Sequence, residues 1–165
     1  MLNAPAGAIL DVLKDSPALA LHLIAARDFA DFAARAIIAG ERVNIQSGEL
    51  ARYLIATIGT RPTETVLAIY VDRDDGYLAD EVLAMGTEST VEFPTRLMIA
   101  RALELGARGI ILAHNHPSGL AWPSDQDREI TEHIRALAAS LGLALLDHLI
   151  VARGRIFSMA KGALQ

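Results

Sequence analysis

Thr63-Glu64-Thr65-Val66-Leu67-Ala68-Ile69-Tyr70-Val71-Asp72 is where the texture of the chain changes. β-Branched and aromatic residues crowd it, and from Val66 onward both alternating sets are apolar, as expected of a strand covered on both faces. Asp74-Asp75-Gly76 is a turn signal, so residues 77–85 read as the returning antiparallel strand. Everything upstream is helical in character. One piece covers 6–14, and a second starts at Ser16-Pro17, with serine as cap and proline at the first helical position, and runs to about residue 38. After a break at Gly40, Glu41 and Arg42, Ser47 is the expected N-cap of a helix over 48–58 closed by Gly59. Downstream, Pro94 opens an apolar-periodic helix on Leu97, Ala100, Leu103 and Leu105 that Gly106 ends. Residues 108–114 form a short buried strand, 115–123 a loop and 124–141 a helix ended by Gly142. A final hairpin covers 143–152 and 155–159 about the turn Arg153-Gly154. Hairpins alternating with helices predict a three-layer α/β domain over 45–165, a central mixed β-sheet flanked by helices. A short helical segment, 1–44, precedes it as an appendage or a homodimerisation element.

With 165 residues, of which 52% are hydrophobic and 21% charged, the chain can bury one real core and is not a disordered sequence. It contains no cysteine, which removes disulfides, thiol catalysis, Cys-ligated zinc and iron–sulfur clusters. Any metal is left to histidine and carboxylate. A formal charge of -5 argues against non-specific grip on nucleic acid as the main activity. No stretch approaches the roughly twenty apolar residues of a membrane helix, and residues 1–15 lack the basic start of a signal peptide. A cytoplasmic location without membrane association is the expectation.

The chemistry concentrates in His114-Asn115-His116-Pro117-Ser118-Gly119-Leu120-Ala121-Trp122-Pro123-Ser124-Asp125-Gln126-Asp127. Residues i and i+2 of a strand point the same way, so His114 and His116 can aim both imidazoles at one point. Pro117 keeps His116 extended. Asp127 lies one turn before Ile130 on the helical stripe Ile130, Ile134, Leu137, Ala138 and Leu141, so its carboxylate points inward and needs a cation or several donors. A simpler reading stands beside this one, since Ser124 followed by Asp127 also fits a capping box. Two histidines and one carboxylate leave zinc an open fourth position, the catalytic arrangement, although such a set also accepts iron, cobalt or manganese. Glu64, the one carboxylate at the edge of an apolar core strand, is the candidate base, its plainer alternative being an ordinary charged strand end.

The segments His114-Asn115-His116-Pro117-Ser118-Gly119, Pro123-Ser124, Asp127, Thr131 and Leu145-Leu146-Asp147-His148-Leu149-Ile150-Val151 resemble the RadC family, a bacterial branch of the JAMM (MPN-type) metalloprotease superfamily. The resemblance covers residues 35–159. It implies an MPN-type fold with one zinc ion per chain held by His114, His116 and Asp127, oxyanion stabilisation by Ser124 and water activation by Glu64. The implied reaction is hydrolysis of a peptide or isopeptide bond in a peptide or protein substrate. Two features depart from the family: the first forty residues lack a glycine-bearing helical hairpin, and Phe93-Pro94-Thr95-Arg96 stands where the family tends to have His-Pro-Arg-Glu.

Asp147 and His148 face opposite sides of their strand, so only one can approach the site, and His148 is a candidate hydrogen-bond partner of a ligand. Trp122 either lines a substrate groove or simply packs. His22 and His133 have no partner pattern and read as structural. Two rival functions remain: a metal-dependent DNA-processing protein, which the family's older repair label suggests and the acidic charge disfavours, and a non-catalytic MPN scaffold, which the full ligand set disfavours. Cytidine-deaminase chemistry is excluded for want of its cysteine ligands.

Overall fold

The computed structural model describes residues 6–40, 42–86 and 93–165. Five helices and six strands follow in the order α1 (Ala6–Val12), α2 (Pro17–Arg35), α3 (Gly48–Thr57), β1 (Glu64–Val71), β2 (Tyr77–Gly86), α4 (Thr95–Glu104), β3 (Gly109–Asn115), α5 (Asp125–Ser140), β4 (Ala144–Ala152), β5 (Arg155–Ser158) and β6 (Ala163–Leu164). The strands form one mixed sheet in the order β2-β1-β3-β4-β5-β6. Among the described residues only β3 and β4 pair in parallel, and α5 is the crossover between them.

Strand alternation builds the three layers. Leu67, Ile69, Val71, Ile111, Ala113, Leu149 and Val151 share one core with Leu50, Tyr53 and Leu54 of α3. The alternate residues Val66, Ala68, Tyr70, Ile110 and Leu112 share the other with Met98, Ile99 and Ala102 of α4 and Ile134 and Ala138 of α5. Every residue of β1 is buried, which is why its sequence reads apolar on both sets.

The N-terminal helices are tied to this body. Ala34, Ile38 and Val43 join the α3 core. Arg35 holds Asp80 of β2 through two bonds, Nε to Oδ1 at 2.6 Å and Nη2 to Oδ2 at 3.0 Å, and the Tyr77 hydroxyl also donates to Asp80. Burial pushes the Asp80 carboxyl up, but the bonds from Arg35 and Tyr77 outweigh it and hold the group below its ordinary value. Among the described residues, no helix is long and apolar enough to cross a membrane.

Four local expectations are corrected. Ser16 makes no side-chain cap at α2; Pro17 alone marks that start. In α4 the buried face is Met98, Ile99 and Ala102, while Leu97 and Leu103 face solvent at 66% and 51% exposure and Ala100 is exposed. Leu141 is exposed beyond the end of α5, and the inward stripe of that helix is Asp127, Thr131, Ile134 and Ala138. The short edge strand β6 carries no alternating pattern of its own and was not anticipated. Ser47, by contrast, caps α3 by accepting from the Leu50 amide at 3.2 Å.

Candidate metal centre

The site lies at the C-terminal end of β3, next to the parallel crossover, where open α/β sheets leave a crevice. Antiparallel pairing sets Val66 of β1 against His114 of β3, and continuing that register brings Glu64 opposite His116. His114 Nε2 and His116 Nε2 lie 2.8 Å apart. From α5, Asp127 Oδ1 sits 3.2 Å from His114 Nε2 and Oδ2 sits 3.5 Å from His116 Nε2. One ligand atom each from Glu64, His114 and His116 also falls within 4.8 Å of the others. Tetrahedral zinc with ligand bonds near 2.0–2.1 Å sets its ligand atoms roughly 3.3 Å apart, so the two imidazoles and Asp127 are already close to a coordination sphere.

Ser124 and Asp127 form the capping box that their spacing allowed. Ser124 Oγ accepts from the Asp127 amide at 3.1 Å, and Asp127 Oδ2 accepts from the Ser124 amide at 2.8 Å, a complete capping box. The Ser124 hydroxyl donates to the same Oδ2 at 2.7 Å. The cap thus engages Oδ2, which also lies 3.5 Å from His116 Nε2, and leaves Oδ1 towards His114. Burial pushes the Asp127 carboxyl up, but the two imidazoles and Ser124 outweigh it and hold the carboxyl well below the usual carboxylate range. Burial lowers the His116 imidazole, while Asp127, the Leu120 carbonyl and Glu64 raise it further, leaving it above its ordinary value. The pocket is therefore an electrostatic trap for positive charge.

The donor chemistry points the same way. His116 Nδ1 donates to the Leu120 carbonyl at 2.7 Å, which leaves Nε2 of the neutral ring as a bare lone pair. A second bare or shared lone pair 2.8 Å away needs a proton or a metal between them. Gly119 makes the loop that presents the Leu120 carbonyl: its φ is +86°, and a Cβ there would meet Arg153 Nε at 2.2 Å.

His148 is fully buried, with Nε2 at 2.8 Å from His114 Nδ1 and Nδ1 at 2.6 Å from Thr131 Oγ1. Burial, reinforced by His114, pushes the His148 imidazolium well below its ordinary value, which favours the uncharged ring. Asp147 faces away, bound by the Ser158 hydroxyl at 2.5 Å and the amides of His148 and Ala160. His22 and His133 are both exposed, with His22 Nδ1 occupied by the Ala18 carbonyl.

A cleft of about 440 Å³ opens over these groups, lined by Glu64, His116, Ser124 and Asp127 on its polar side and by Phe93, Leu120, Trp122 and Pro123 on its apolar side. Trp122 packs with its ring 5.1 Å from that of Phe157 and remains 59% exposed along the cleft.

Three residues had no role assigned from sequence. Phe93 packs edge-on against His114 and His148, with centroids 5.8 and 5.7 Å away. Thr131 bonds His148, as above. Asn115, buried between the two site histidines but pointing away from them, accepts from the Thr65 amide at 2.8 Å and donates to the carbonyls of Arg61 and Thr63 at 3.1 and 3.3 Å. It clamps the segment that carries Glu64. A lone polar residue between two histidines on an otherwise apolar strand was the available signal. Asn115→Ala leaves the buried Thr65 amide unpaired, so a loss of about 1–3 kcal/mol is expected in denaturant unfolding. An unchanged unfolding midpoint would refute the clamp.

The family model described as "RadC-like JAB domain" matches residues 45–164. A UPF0758 protein of Rhodobacter capsulatus is 36% identical over 165 residues, covering 99% of this chain and 77% of that protein. One from Ruegeria pomeroyi is 37% identical over 153 residues, covering 93% of this chain and 68% of its own length. A third, from Burkholderia ambifaria, is 38% identical over 134 residues, and there the chain spans only 52% of the relative. With the profile matching most of its length and a curated relative aligned nearly end to end, the chain belongs to the RadC-like JAB-domain family.

Proposed function

We propose that this protein is a zinc-dependent hydrolase that cleaves a peptide or isopeptide bond with a water activated at the His114, His116 and Asp127 site. The observation that carries the reading is the convergence of two imidazole Nε2 atoms, 2.8 Å apart, with the Asp127 carboxylate in a cleft that also holds Glu64 and Ser124. A bound divalent cation supplies Lewis acidity to water and to the substrate carbonyl.

The chain's own residues do the rest. Glu64, 7% exposed at the cleft wall, takes the proton of the attacking water and delivers it to the leaving amine. Ser124 turns its hydroxyl from Asp127 Oδ2 to the oxyanion, a contact of the kind worth about 10²–10³ in rate. Leu120 and Trp122, 65% and 59% exposed, hold apolar surface in solvent beside the reacting groups, which suits a substrate with an apolar side chain next to the scissile bond. The acidic balance of the chain favours a polypeptide substrate over nucleic acid.

Zinc-loaded protein should be incubated in parallel with leucine- or phenylalanine-containing peptides, ubiquitin-like conjugates, and single-stranded and branched DNA, each with and without a chelator. Chelator-sensitive cleavage of a peptide or isopeptide bond alone is expected. Cleavage of DNA alone would replace this reading with the nuclease one.

A further inference from the structure

Thr131, His148 and His114 form a buried chain of hydrogen bonds that ends at the site. Its direction follows from a single proton. Thr131 Oγ1 lies 2.5 Å from the Asp127 backbone carbonyl, an oxygen that can only accept, so the threonine's one hydroxyl proton is placed there. Oγ1 must then accept at its contact with His148, so the proton of that 2.6 Å bond belongs to His148 Nδ1, and the Met159 sulfur at 3.4 Å is too weak an acceptor to draw the hydroxyl proton from the carbonyl. At a pH where imidazoles are uncharged, a His148 ring protonated at Nδ1 has a bare Nε2. That atom can only accept from His114, so at 2.8 Å the proton lies on His114 Nδ1. His114 Nε2 is consequently bare and faces the bare His116 Nε2 and Asp127 Oδ1. All three members are essentially inaccessible to solvent, at 0–1% exposure, so water cannot substitute for a missing partner.

We propose that Thr131 and His148 are positioning residues that lock His114 in the Nδ1-protonated tautomer and thereby prepare the metal-free site for a divalent cation. The proposal deepens the metal reading above and rests on it for its purpose, but not for its first measurement. Thr131 matters through its hydroxyl: without it, His148 Nδ1 loses its acceptor, the ring is free to carry its proton on Nε2, and His114 is driven to the opposite tautomer with N–H aimed into the site. Phe93, edge-on to both rings, leaves the two imidazoles little room to rotate out of the chain.

The test uses metal-free, full-length protein with labelled imidazole nitrogens, read by long-range nitrogen–proton correlation NMR at about pH 8, where ordinary histidines are neutral. Wild type is expected to show His114 protonated at Nδ1. Thr131→Val, of similar shape without the hydroxyl, is expected to shift His114 towards Nε2 protonation and to weaken zinc binding about 10–100-fold, the usual cost of losing a partner behind a metal ligand. Thr131→Ser should restore both. His114 found Nε2-protonated in wild-type protein, or a Thr131→Val variant with unchanged tautomer and zinc affinity, would overturn the proposal. Failure of wild type to bind zinc would count against the metal reading instead, and the tautomer measurement would stand apart from it.

Discussion

Glu64→Gln is expected to retain zinc at the wild-type ratio and to lose about 10²–10⁴ in kcat, the range spanned by removing a general base. Glutamine keeps the size of the side chain and its capacity to hydrogen-bond, so the start of β1, with Asn115 holding the Thr63 and Thr65 backbone, should not move. What disappears is the ability to accept and return a proton. The structure makes this variant decisive because Glu64 lies close enough to the two histidines to be read as a third ligand in its own right. The competing assignments predict opposite metal contents. A base leaves zinc in place with turnover lost, whereas a ligand loses zinc and turnover together. Metal analysis of the purified variant beside its kcat separates them, and wild-type turnover would remove Glu64 from both roles.

Much of this architecture follows from short-range pattern. The uninterrupted apolar character of β1 announced a strand covered on both faces, and its period of two, carried along β3, already aligned His114 with His116. The helical period likewise turned Asp127 inward, one turn before Ile130. Where the pattern was degenerate it misled: α4 carries apolar residues at Leu97, Met98, Ile99, Ala100, Ala102 and Leu103, so hydrophobicity alone leaves its phase open. The buried side was the one with Met98, Ile99 and Ala102. What stayed hidden was long-range and polar. His114 meets His148 across 34 positions and Asn115 meets the Thr65 amide across 50, and no local periodicity encodes which buried donor will find which acceptor. Only the alternation rule that Asp147 and His148 cannot both face the site narrowed the choice to one. Asp127 shows the opposite situation: the capping box was legible from Ser124 and Asp127 three residues apart, and because a carboxylate has two oxygens the cap leaves Oδ1 3.2 Å from His114 Nε2.

That division of labour within Asp127 allows its ligand role to be tested without disturbing the helix. Asp127→Ala removes the cap along with the carboxylate, at a cost of the order of 1 kcal/mol, so loss of zinc from that variant could be blamed on a frayed α5. Asp127→Asn keeps an oxygen to accept from the Ser124 amide, and its amide nitrogen can donate to the bare His114 Nε2. In metal-free protein this variant is expected to be at least as stable as wild type, because it supplies the hydrogen that two facing imidazole nitrogens lack. It should nevertheless bind zinc more than the roughly 10–100-fold weaker that follows from losing a ligand's outer partner, since a carboxylate in direct contact is gone. Zinc at 100 times its Kd adds about 2.7 kcal/mol to a protein that binds it only when folded, which for a chain of this size raises Tm by about 5–10 °C. Wild type should show that rise, and Asp127→Asn and His114→Ala should not. A zinc-dependent rise preserved in Asp127→Asn would transfer the third ligand to Glu64, and preserved in both variants it would place the metal elsewhere.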